Sequence, residues 1–93
     1  MKSILQDKKE CYITRSRVNL EEHHIFFGTG LREVSEKHGF KCWLAKELHT
    51  GIPSGVHGGN FPLDMKLKRE CQRAFERTHT REEFVEIVGR SYL

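Results

Sequence analysis

Residues 23–27 (HHIFF), followed by Gly28, decide how the fold of this chain is predicted. They are rich in β-forming residues, which favours a strand that ends at the glycine. Residues 40–44 (FKCWL) alternate in polarity, which predicts a second strand. Residues 31–38 (LREVSEKH) lie between the two and are typical of a short helix. The two strands are expected to pair as a hairpin.

The second half of the chain is predicted to be a glycine-rich loop followed by two helices. Residues 49–61 hold four of the eight glycines and form the loop. A helix is predicted from Pro62, because apolar residues recur from there at helical spacing. Its predicted apolar stripe consists of Leu63, Leu67, Cys71, Ala74, Phe75 and Thr78. Thr80 and Glu83 have the spacing of a capping box, which predicts a final helix that ends at Gly89.

Length and charge indicate one small domain with a basic N-terminal end. The chain has 93 residues, too few for two independent cores. Its formal net charge is +3, and residues 1–20 contain five basic and two acidic side chains, an excess that accounts for it. We predict a basic flexible arm over residues 1–10 and a single domain over residues 11–93. A basic excess of this size is compatible with nucleic-acid binding.

Two classes of protein are disfavoured by composition. No apolar run has the length of a membrane span or of a signal-peptide core, so we expect no membrane partner and a cytoplasmic location. Three cysteines, at positions 11, 42 and 71, make a poor disulfide framework.

Histidines give the clearest functional signal. Four of the six, His23, His24, His49 and His57, fall on the predicted hairpin and the glycine-rich loop. Neutral imidazole is the commonest transition-metal ligand, and three imidazoles from different elements can hold one divalent ion. Neighbouring strand residues point to opposite faces, so His23 and His24 are expected to have different roles. A histidine that is not a ligand can act as a general base.

Several of these segments together resemble an HNH nuclease, and more closely the small HNH-type proteins of phages and prophages. They are Cys11-Tyr12-Ile13-Thr14, His23 to Gly28, Leu48-His49 and Gly55-Val56-His57. The resemblance runs from about residue 11 to the C-terminus. It implies an α+β fold with a ββα-metal (His-Me finger) core, a β-hairpin plus a helix, here with an additional C-terminal helix.

The resemblance also implies an activity, metal-dependent cleavage of DNA by an endonuclease or nickase. His23, His49 and His57 would be metal ligands, and His24 would take a proton from the attacking water. The resulting hydroxide would attack phosphorus in line, and the ion would stabilise the departing 3′ oxygen. The expected cofactor is one divalent ion, for which histidine ligands suit zinc, nickel or manganese better than magnesium.

The chain departs from the family pattern at several places, two of which bear on a structural zinc and on the general base. Thr14 stands where the CxxC knuckle of many relatives has its second cysteine, so we predict no structural zinc. No residue corresponds clearly to the middle asparagine that orients the general base, since His38 and Gly39 fall about where it belongs.

A basic stripe on the long helix is the candidate DNA-binding surface. On an ideal helix its four members lie within about 80° of arc and can follow a phosphate backbone. They are Lys66, Arg69, Arg73 and Arg77. An ordinary solvated helix face explains the same pattern.

Two other interpretations stay open. A catalytically degenerate HNH-fold phage protein would bind DNA or inhibit a host protein. A zinc-stabilised domain would share a structural metal between Cys11, Cys42 and histidines. A homodimer is also possible, because an enzyme with a single site cuts one strand at a time.

Overall fold

A computed structural model describes all 93 residues and contains a two-stranded antiparallel sheet. Strand β1 (Leu20–His24) pairs with β2 (Lys41–Ala45), and His23 lies opposite Cys42. The first strand therefore begins and ends three residues earlier than predicted. The reason is that the amide and carbonyl of Phe26 both bond to the Ser35 hydroxyl, at 3.0 and 2.6 Å, and so leave the sheet.

The three predicted helices are present, and a short fourth follows β2. They are α1 (Leu31–His38), α2 (Lys46–His49), α3 (Phe61–Phe75) and α4 (Arg81–Val88), with a one-turn 3-10 helix at Val56–Gly58. Gly39 ends α1 with a φ of 72°, a left-handed conformation that favours glycine. Asn60 caps α3 by accepting from the amide of Leu63 at 3.1 Å. Thr80 and Glu83 form the predicted capping box of α4.

One apolar core joins the sheet to α3 and α4. The rings of Phe26, Phe40 and Phe84 are fully buried and contact one another. The apolar stripe predicted for α3 faces this core, except that Thr78 is exposed beyond the end of the helix. The α+β class is therefore confirmed.

Residues 1–10, predicted to be a flexible arm, contact the outer edge of β2. The Ser3 hydroxyl donates to the carbonyl of Lys41, and the amide of Ile4 donates to the carbonyl of Gly39. The amide of Trp43 donates to Oε1 of Gln6 at 2.6 Å. These contacts give the segment a defined position in spite of its charge.

None of the helices combines the length and the hydropathy that a membrane crossing requires.

Candidate metal centre and catalytic cleft

Three histidines from three elements meet at one point. His23 comes from β1, His49 ends α2, and His57 lies in the one-turn 3-10 helix. One nitrogen from each ring lies within 4.8 Å of the other two. Their ring centroids are 4.9 to 5.2 Å apart. Imidazole nitrogens bind a metal ion at about 2.0–2.1 Å, so this cluster can close on a single ion after small side-chain rotations.

His23 gives the most direct indication that the cluster fits a metal. It is fully buried, and neither ring nitrogen has a hydrogen-bond partner in the protein. Burial, and then the nearby His49 and His57, lower its pKa to about 3, so the ring is neutral at physiological pH. A neutral imidazole is the form that binds metals, and an ion would satisfy one of the two buried nitrogens.

The other two histidines of the cluster differ in their surroundings. Nδ1 of His49 lies 2.8 Å from a carboxylate oxygen of Glu21, which holds the proton on Nδ1 and leaves Nε2 free to bind. His57 is exposed. The part of its ring that is buried, and then the proximity of His49, lower the pKa of His57, whereas the nearby Asp64 raises it.

The glycine-rich loop brings His57 back to the strands, as its composition predicts. The amide of Gly55 donates to the carbonyl of Gly51 at 2.8 Å. A Cβ added to Gly58 would overlap that same carbonyl oxygen. The loop therefore closes tightly only because these positions have no side chain, and this closure sets the position of His57.

His24 lies apart from the cluster and is held by charged groups. Its Nε2 lies 2.9 Å from Oε1 of Glu36 on α1. The buried ammonium of Lys41 bridges Glu36, at 2.6 Å, and Glu22, at 3.3 Å. Hydrogen bonds from Lys41 and then His24 lower the pKa of Glu36 to about 2, so it is a carboxylate at neutral pH. Glu36 thus supplies a contact that can orient His24, where the sequence has no equivalent of the middle asparagine.

Glu22, His24 and Glu36 form a second group of potential metal ligands. The ammonium of Lys41 already lies between the two carboxylates and balances one of their two negative charges. A cation would have to displace this buried charge, so we assign the group to the orientation of His24.

One cleft of about 230 Å³ joins the two histidine groups. It is lined by Glu22, His24, Phe27, Arg32, His49 and His57. The predicted base and two of the predicted ligands therefore open onto the same space.

Three further residues beside these histidines, in addition to Glu21, Glu36 and Lys41, were missed by the sequence analysis. Lys68 donates to Oδ2 of Asp64 at 2.9 Å, and its ammonium lies 4.6 Å from the centroid of the Phe27 ring. Oδ1 of Asp64 is buried without a partner. The spacing of Asp64 and Lys68, four residues apart on a helix, was the available signal for this pair. No sequence signal marked Arg32.

The predicted basic stripe does not line this cleft. Lys66 pairs with Glu70 at 2.7 Å, while Arg73 and Arg77 line a separate cleft together with Tyr12. Arg77 lies in the turn after α3, because that helix ends at Phe75. Arg69 is exposed on the same helix. A role of the stripe in DNA binding stays a prediction.

The cysteines are all buried and free. Sγ of Cys11 accepts a hydrogen bond from the amide of Thr14 at 3.5 Å. The chain therefore turns between these two residues, and Cys11 supplies the only thiol of this turn. Neither group of potential metal ligands contains a cysteine. The structure therefore does not bring Cys11 and Cys42 together with histidines, as a shared structural metal would require.

Comparison with known proteins returned no match among family models, curated proteins or solved structures.

Proposed function

We propose that this protein is a metal-dependent DNA endonuclease or nickase of the HNH type. The observation that carries the proposal is the meeting of His23, His49 and His57 beside a cleft that also exposes His24. Three imidazole nitrogen ligands leave coordination positions open, as catalytic metal sites require. A separate histidine in the same cleft can act as the general base that hydrolysis also needs.

The residues divide the chemistry between them. His23, His49 and His57 hold the ion, with Glu21 orienting His49. The ion, when bound, supplies Lewis-acid stabilisation of the charge that develops on the phosphodiester. His24 accepts a proton from the attacking water, while Glu36 holds its other side. The hydrolysis breaks the bond between phosphorus and the 3′ oxygen, and its products carry 5′-phosphate and 3′-hydroxyl ends.

The ligand set favours particular metals. Imidazole nitrogen suits zinc, nickel and manganese, whereas magnesium prefers oxygen ligands. We therefore expect activity with one of the first three ions, and weaker activity with magnesium.

Cleavage of supercoiled plasmid tests the proposal directly. Wild-type protein is incubated with each of these four ions and with EDTA, and nicked product is measured. We expect metal-dependent nicking that EDTA abolishes. His24→Ala should lower the rate by about 100-fold or more, because general-base catalysis contributes about 10²–10⁴-fold.

His79→Ala is the matched control, since His79 is an exposed histidine after α3 that lines neither the cluster nor the cleft. It should cleave at the wild-type rate. No cleavage by folded wild-type protein with any ion would overturn the proposal and favour a non-catalytic protein that binds DNA or a host protein. Equal cleavage by wild type and His24→Ala would remove His24 from the mechanism.

A further inference from the structure

Arg32 is an exposed cation at the cleft that joins the two histidine groups. It comes from the first turn of α1 and lines the cleft together with His24, His49 and His57. It also lines the adjoining pocket formed by His24, Glu33 and Glu36. Its guanidinium makes neither a salt bridge nor a hydrogen bond within the protein, although carboxylates lie nearby.

We infer that Arg32 binds the phosphodiester group that is cut, by donating to its non-bridging oxygens. This inference rests on the proposed function, because it names the substrate group that the cleft receives. A guanidinium presents a planar fork of donors that matches phosphate, and a donor set without an internal partner is available to a ligand.

The other cations near the cleft are already engaged. Lys41 is 4% exposed and holds two carboxylates. Lys68 pairs with Asp64 and lies against the Phe27 ring. Arg32 is thus the cation in this region with its charge free for an anion.

The acidic residues of the cleft do not prevent an anion from binding there. Glu22 and Glu36 both contact the ammonium of Lys41, which offsets one of their two negative charges. An ion on the three histidines would add positive charge to the same space. Glu33 is exposed and lines the adjoining pocket but not the cleft that His49 and His57 line.

Two measurements on Arg32→Ala test the inference. The first is cleavage of supercoiled plasmid with the ion that gives the highest wild-type rate. The second is equilibrium binding of a short fluorescent DNA duplex, by anisotropy, in the His24→Ala background. We expect cleavage and duplex affinity both to fall about tenfold, the effect of one charged hydrogen-bonding group.

Lys37→Ala is the matched control, since Lys37 is an exposed cation on the same helix that lines a different pocket. It removes the same charge from α1 and should change both measurements far less. Arg32→Lys should recover part of the affinity, because it restores the charge without the planar fork. Affinity for the metal alone, measured by calorimetry, should be unchanged in Arg32→Ala.

The outcomes separate this inference from the proposed function. Cleavage and duplex binding by Arg32→Ala at wild-type levels would overturn the inference and leave the nuclease intact. Equal losses in Arg32→Ala and Lys37→Ala would also overturn it, because they would reflect net charge alone. Wild-type protein that binds duplex without cutting it, and loses affinity only in Arg32→Ala, would support phosphodiester binding by Arg32 but overturn cleavage, and with it the claim that the bound group is the one that is cut.

Discussion

The imidazole of His23 is fully buried, yet neither of its nitrogens has a partner in the protein. An unsatisfied buried polar group costs about 1–3 kcal/mol. The metal-free protein therefore carries at this residue a cost that opposes folding and that, under the proposed function, serves metal binding. Such conflict between stability and function is common at functional sites.

We predict that metal-free His23→Leu is at least as stable as the wild type near neutral pH, because an apolar side chain of similar size removes both unpartnered nitrogens. The difference should grow in acid. The pKa of His23 is about 3 in the folded protein and near 6.5 in the unfolded chain, so the wild type loses stability as pH falls between these values. By about pH 4.5 this loss is about 3 kcal/mol.

Urea denaturation of both proteins in EDTA, near neutral pH and in acid, measures these differences. Zinc should then stabilise the wild type and leave His23→Leu unchanged. A variant that loses several kcal/mol near neutral pH, or that zinc still stabilises, would contradict the assignment of His23 as a metal ligand.

The histidine cluster could be predicted from residue type together with the predicted hairpin and glycine-rich loop, because those two elements bring the four histidines close together. Glu36 and Arg32 could not be predicted in the same way. Their roles depend on where α1 packs against β1, and the contacts that determine this include the Ser35 hydroxyl at Phe26. A contact between residues distant in sequence leaves no periodic signal.

At the scale of elements, the helices were predictable because their ends are determined locally. Gly39 and the capping box at Thr80 act within a few residues of the helices that they terminate or begin. The strands shifted because their ends depend on partners elsewhere in the chain. The four-residue α2 has too few residues to show helical periodicity, and it is the element that delivers His49.

The glycine-rich loop gives a prediction at this scale. Gly58→Ala should weaken metal affinity by about 10- to 100-fold, the usual effect of disturbing the support of a metal ligand. The added Cβ would overlap the carbonyl of Gly51 and displace the adjacent His57. Ile52→Ala is the control, because Ile52 lies in the same loop with 86% of its surface exposed. A chelator-competition titration measures the metal affinity of both variants and of the wild type. Equal affinities of Gly58→Ala and the wild type would exclude this loop from the site.

At the scale of the whole molecule, one chain carries one three-histidine cluster, with one cleft beside it that His24 also lines. A monomer that engages DNA once can cut a single strand. We predict that nicked circles accumulate before linear plasmid and that the linear product rises more steeply with protein concentration. A time course over a dilution series measures this, and linear product that appears together with nicked circles at the lowest concentration would indicate an enzyme that acts as a dimer.

The position of residues 1–10 has a consequence for how this protein is handled. Ser3 and Gln6 occupy hydrogen-bonding groups of β2 that face away from β1. If the chain were shortened to begin at Cys11, those groups would become an open template, and strands with free edges recruit strands from other molecules. We therefore expect the first ten residues to limit self-association of this small sheet, and a solubility tag is better placed at the C-terminus, where Leu93 is exposed.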